Sequence, residues 1–148
     1  MPPTADVLIK LAVDTAKQFN LDPPLVCGLV EQESAWNPWA MRYEPAFFAR
    51  YVAPQYTNNK ISATEAYERA FSFGLLQLMG QVAREIGFPK QFLSELCDPA
   101  TGLFWGCKEL QLKLDKAKGD VTQGLLLFNG GNDKTYPTQV LARVSKYA

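Results

Sequence analysis

Apolar residues recur along this chain at spacings of three and four, the period of a helix face. Nowhere do they settle into a sustained two-residue alternation bounded by hairpin turn residues. The pattern predicts an all-α protein. A first helix is expected from about Thr4 to Asn20, with Thr4 as N-cap and Val7, Leu8, Leu11, Ala12, Thr15 and Phe19 on one stripe. Asp22, Pro23 and Pro24 restart the chain, since proline suits the first turn of a helix. The helix they open carries Leu25, Val26, Leu29 and Val30 on one face and ends near Trp36, Asn37 and Pro38.

Residues 39–61 are rich in aromatic residues, proline and asparagine and read as irregular structure with one short helix from Ala46 to Tyr51. Ser62 and Glu65 then form the S-x-x-E pattern of a helix start. The run GLLQLMGQVAREIG predicts a further helix stopped by Gly87 and Pro89. From Asp98 and Pro99 another helix carries Leu103, Phe104, Cys107, Leu110 and Leu114 on one face as far as Gly119. Two shorter helices, Asp120 to Phe128 and Pro137 to Tyr147, flank the turn NGGND. There is no repeat, low-complexity tract or linker, so residues 1–148 read as one domain, a bundle of about seven helices.

Composition narrows the chemistry. Fifteen basic and fifteen acidic residues give a net charge of zero, which leaves no electrostatic footprint for a nucleic-acid backbone or an anionic membrane. The absence of histidine removes Ser-His-Asp and Cys-His catalysis, histidine zinc sites and histidine general bases together. Cys27, Cys97 and Cys107 are odd in number and form no C-x-x-C pair, so buried thiols and a single disulfide both stay open. No segment reaches the roughly 18 apolar residues of a membrane span. The first residues lack a basic stretch followed by an unbroken apolar run, so no export signal is read there.

Glu33 stands out on position alone. Residues 25, 26, 29, 30 and 33 share one helix face, so an acid lies on the apolar stripe. Glu31, about 200° round the helix, is expected in solvent. A carboxyl in low-dielectric surroundings has its charged form disfavoured, which raises its pKa and readies it to donate a proton near neutral pH. The bland alternative is that Glu33, near the helix end, reaches solvent or takes a structural hydrogen bond.

Glu33 also opens an ordered series of blocks. Glu33, Ser34, Asn37, Pro38 and Ala40 are followed by Gly74, Leu75, Leu76, Gln77, Leu78 and Met79, then by Asp98, Pro99 and Gly106. Leu127, Phe128, Asn129, Gly130 and Gly131 come last, with Tyr136 and Pro137 after them. Over about residues 20–147 this series resembles the lysozyme-like domain of the soluble lytic transglycosylase family, which is related to goose-type lysozymes.

The resemblance implies a lysozyme-like helical bundle around a substrate cleft. It implies cleavage of the β-1,4 bond between N-acetylmuramic acid and N-acetylglucosamine in peptidoglycan, with Glu33 as acid and then base and a 1,6-anhydromuramoyl end as product. No water is consumed, and no metal or organic cofactor is required. The runner-up is hydrolysis by a muramidase, which needs a second carboxylate. Glu44, in the RYEP segment, and Glu68, near where goose-type lysozymes place an acid, are the candidates, although Glu68 sits in a helical pattern typical of a solvated face. A third reading, of another class, is an inactive peptidoglycan-binding module.

Ser34, Glu44, Ser72, Gln77, Met79, Asn129 and Tyr136 are the expected substrate-binding residues, with Asn129 and Tyr136 also placed to hydrogen-bond Glu33. For each the plain alternative is that it holds the fold. Trp36, Trp39 and the aromatics from Tyr43 to Tyr51 suit stacking on sugar faces, whereas Trp105 reads as packing.

The chain departs from the family pattern in three places. Roughly forty residues separate Ser34 from Gly74, about twice the usual span, making residues 41–70 an elaboration near the cleft. Gly80 stands where a proline is usual, and Phe128 replaces a tyrosine. The expected partners are peptidoglycan glycan strands, with no nucleic acid, no stable membrane insertion and a monomeric chain. The substrate places the activity at the cell wall, periplasmic, extracellular or virion-associated.

Overall fold

Helix α1 (Ala5–Gln18) begins where Thr4 leaves extended backbone, although the Thr4 side chain makes no capping bond. The computed structural model describes residues 3–58 and 60–148. Leu8, Ala12, Thr15 and Ala16 face inward along α1, while Val7, expected on the buried stripe, is exposed. Asn20 adopts a positive φ of 55° and stops the helix. Helix α2 (Pro23–Ser34) follows with Asp22 at its N-cap and proline in its first turn. Leu25 through Val30 are all buried, so α2 is enclosed on every side there rather than along one stripe.

The chain divides into two units, one formed by the residues up to Trp36 together with Gly106–Ala148, the other by Asn37–Trp105. The first holds α1, α2, the later part of α7 (Pro99–Lys116), α8 (Val121–Phe128), α9 (Tyr136–Val144) and a final 3-10 turn, Ser145–Tyr147. Asp120 caps α8 by accepting from the Gln123 amide, as its place in the sequence predicts. Cys27 and Cys107 are buried in this unit and Cys97 in the other, all three as free thiols. That resolves the open choice in favour of unpaired cysteines.

The second unit carries what the periodicity did not predict. Three short strands, β1 (Met41–Tyr43), β2 (Phe71–Phe73) and β3 (Leu78–Met79), pair antiparallel in that order. Between β1 and β2 lie α3 (Pro45–Phe47), a π-helical stretch Phe48–Val52, α4 (Ala53–Thr57) and α5 (Ala63–Arg69). The expected short helix at Ala46 is therefore longer, running on through Thr57. Its aromatic residues explain it: Tyr43, Phe47, Phe48 and Ile61 pack on Val52, Ala66 and Ala70, and the Phe48 and Tyr67 rings stack at 4.7 Å. Ser62 caps α5 through the Glu65 amide, but the Glu65 carboxylate turns to Arg69 and Arg84 instead of closing the capping box.

The helix expected from Gly74 begins only at Gly80, as α6 (Gly80–Glu85). Gly74 takes φ +74°, and a Cβ there would lie 2.5 Å from the Leu96 carbonyl oxygen; Gln77 is also left-handed, at φ 47°. These turns bring Leu78 and Met79 back along β2, so tertiary pairing overrides local helix preference. At Gly80 any Cβ would stand 2.3 Å from the Glu68 carbonyl oxygen, which explains why the usual proline is absent. Phe73, Leu78, Ala83, Phe88, Leu93 and Leu96 form the core beneath, with Trp105 packed edge-on to Phe88 at 5.5 Å, as its reading as a packing residue requires. The described residues are thus mostly helical with one small sheet, in keeping with the lysozyme-like class. Among the described residues no helix is long and apolar enough to cross a membrane.

Candidate active site

Glu33 lies in the last turn of α2, just past the enclosed stretch, and is itself half-buried. The Tyr136 hydroxyl donates a hydrogen bond to its Oε1. Tyr136 opens α9, where Pro137 fixes the first turn, and it is 4% exposed. Burial pushes the Tyr136 hydroxyl well above the usual phenol range, and the charge of Glu33 beside it acts in the same direction. The phenol therefore stays protonated at neutral pH and acts only as a donor to Glu33.

The helix ends abruptly after Ser34. Ala35 and Trp36 take positive φ of 49° and 64°, two consecutive left-handed residues without a glycine. Such conformations cost of order 1–3 kcal/mol each and persist only where surrounding contacts enforce them. Here Trp36 Nε1 donates to the Tyr147 hydroxyl at 2.9 Å, and that hydroxyl donates to Glu31 Oε1 at 2.7 Å. Glu31 Oε2 accepts from Arg143 Nη1 at 2.5 Å and Lys146 Nζ at 2.9 Å. Hydrogen bonds from Lys146, Tyr147 and Arg143 hold the Glu31 carboxyl down at about 2. Glu31, expected in open solvent, is thus a paired and largely covered carboxylate.

Ser34 donates its hydroxyl to the Val30 carbonyl oxygen at 3.2 Å, and half-buried Asn129 caps α8 ahead of Gly130 and Gly131, both at positive φ. Glu33, Ser34, Asn129 and Tyr136 therefore belong to one unit, with Glu33 and Tyr136 joined directly by their hydrogen bond.

Glu44, Glu68, Ser72, Gln77 and Met79 belong to the other unit. Strand register sets Arg42 opposite Ser72 and Ser72 opposite Met79. These three form one row across the sheet, because directly paired residues point to the same face. The other face carries Phe73 and Leu78 into the core. Glu44 is drawn to the end of this row by an ion pair with Arg42 at 2.5 Å. Gln77 uses its amide nitrogen to donate to the Ala40 and Gly74 carbonyl oxygens, at 2.9 and 3.0 Å, and so fastens the turn between β2 and β3. Glu68 is half-buried, with Oε2 accepting from the Leu93 amide at 3.0 Å. Burial raises its pKa above the usual carboxylate range against the opposing pull of that amide. Trp39 is 70% exposed, a wide apolar face in solvent.

Arg42, Arg143 and Tyr147 were not among the residues expected from the sequence. Arg42 was accessible only through strand register, and the other two reach α2 from more than a hundred residues away.

Residues 10–140 match the family model of the Transglycosylase SLT domain, and the chain belongs to that family. Over 53 residues it is 34% identical to membrane-bound lytic murein transglycosylase C of Actinobacillus pleuropneumoniae, serotypes 5b and 3. That match covers 36% of this chain and 14% of the relatives' own length. No solved structure matches the chain.

Proposed function

We propose that this protein is a peptidoglycan lytic transglycosylase acting at the cell wall, in which Glu33 is the sole proton shuttle. The observation that carries the reading is the Tyr136 hydroxyl on Glu33 Oε1 at the end of an enclosed helix. With Oε1 accepting from a phenol that is protonated at neutral pH, Oε2 is the oxygen that carries the transferable proton. Glu33 gives that proton to the glycosidic oxygen as the bond to C1 of the muramoyl residue breaks. The carboxylate left behind takes the proton of the muramoyl C6 hydroxyl as its oxygen bonds to C1, which closes the 1,6-anhydro ring and returns Glu33 to its starting state. In the charged interval the Tyr136 donor stabilises the carboxylate in surroundings where a lone charge is costly. In this reading residues 10–140, matched as one family domain, act together as a single catalytic domain, and residues 41–70 are its elaboration.

Ser72 and Met79, with Arg42 and Glu44 in the same row, are assigned to glycan contact, as are Ser34, Gln77 and Asn129. Hydrolysis is the second reading, and the half-buried setting of Glu68, with Oε2 accepting from the Leu93 amide, favours it over Glu44, which is paired with Arg42, as the partner acid. Glu33→Gln tests the proposal. It keeps size and hydrogen bonding, so lysis of purified peptidoglycan should disappear while binding to it persists. Unchanged lysis would refute the role of Glu33.

A further inference from the structure

Three residues in the last turn of α2 are each bonded to the chain's last helix or the turn after it. Glu31 accepts from Arg143, Lys146 and Tyr147. Gln32 accepts from Arg143 Nε at 2.8 Å and donates to Gln139 Oε1 at 3.0 Å. Glu33 accepts from Tyr136. Beyond them Trp36 donates to Tyr147, and the two rings lie 5.9 Å apart. The backbones come close enough for this because Gly28 has no side chain: a Cβ there would be 3.3 Å from the Val140 carbonyl oxygen and from Val144 Cγ2.

We infer that Tyr147 is a positioning residue for Glu33, acting through Trp36 and Glu31 to hold the left-handed turn in which α2 ends. The inference rests on the reading of Glu33 as the acid. Its physical content is that two adjacent non-glycine residues at positive φ would relax toward ordinary backbone without an external hold. Glu33 lies two residues before that turn and would swing with it. The Tyr147 hydroxyl bonds both ends of the segment, Glu31 before Glu33 and Trp36 after it. Misplacement of a reacting group by about 1 Å can cost roughly a hundredfold in rate, so a hydroxyl with no part in the chemistry controls it through geometry.

The test is Tyr147→Phe, which keeps the ring and removes the hydroxyl, beside Trp36→Phe and the double variant. Tyr147→Phe should lower the turnover rate on purified peptidoglycan roughly ten- to a hundredfold, with KM changed less than about twofold. The double variant should lose no more than the worse single one, because both substitutions break the same link. In spectra of the labelled protein, the Trp36 indole N–H signal should move in Tyr147→Phe, and the titration midpoint of the Glu33 carboxyl carbon should shift. Wild-type turnover in Tyr147→Phe with a displaced indole signal would overturn the inference. Failure of the wild-type protein to release any glycan would refute the proposed function instead. The inference would then stand or fall on the carboxyl titration, and an unmoved midpoint would overturn it.

Discussion

The Tyr136 hydroxyl reaches Glu33 Oε1 across 103 positions of sequence and joins the first residue of α9 to the last turn of α2. The proposed site is built on this pair, since it sets which carboxyl oxygen is engaged and supplies a donor to the charge formed during the reaction. Tyr136→Phe should keep the fold and slow glycan release roughly a hundred- to a thousandfold, the usual range for losing one preorganised donor. Initial rates of peptidoglycan clearance, with circular dichroism as the check on folding, measure it.

Glu31 gives a stability prediction with a defined sign. Its pKa falls from an ordinary value of 4.5 to about 2 in the folded protein. A depressed folded-state pKa contributes stability that is present above pH 4.5 and is lost as pH falls through the interval down to about 2. Glu31→Gln should therefore flatten the melting-temperature profile in that acid interval, and parallel profiles for the two proteins would count against the network around Tyr147.

Gly80→Ala places a methyl group against the Glu68 carbonyl oxygen and the Arg69 Cα, both backbone atoms that cannot swing aside. Overpacking of this kind typically costs about 1–3 kcal/mol. Urea unfolding should show a lower midpoint with an unchanged slope.

The buried cysteines should be inert in the native protein. Burial pushes the Cys27 thiol up to about 11 and the Cys107 thiol up to about 12, so little thiolate forms at neutral pH. A colorimetric thiol reagent should leave both unmodified until denaturant is added. Rapid labelling of the folded chain would mean that this region opens readily.

Much of the helical frame could be read from local signals: Asp120 before α8, Ser62 before α5 and the prolines that open α2 and α9 all act where the sequence puts them. Glu33 stood out because its place in the helix period disagreed with its chemistry, and Tyr136 only through the family resemblance, in which it follows the Asn129 turn. The helix expected from Gly74 was misplaced since its residues are good helix formers whose conformation is decided by pairing with Phe71–Phe73. Val7 was misassigned and α2 looked one-sided for a related reason: periodicity reports a buried face and is silent on what else packs around it. The hold that Arg143 and Tyr147 exert on Glu31 leaves no local trace, because ion pairs between distant segments have no spacing rule.

The central claim is that one carboxyl moves both protons and no water enters the product. Mass spectrometry of soluble muropeptides released from purified peptidoglycan, before and after borohydride reduction, reads this directly. The account predicts muramoyl ends one water lighter than the reducing sugar and unchanged by borohydride. Ends that borohydride reduces would contradict it, and would transfer the search for a second carboxylate to Glu68 and Glu44.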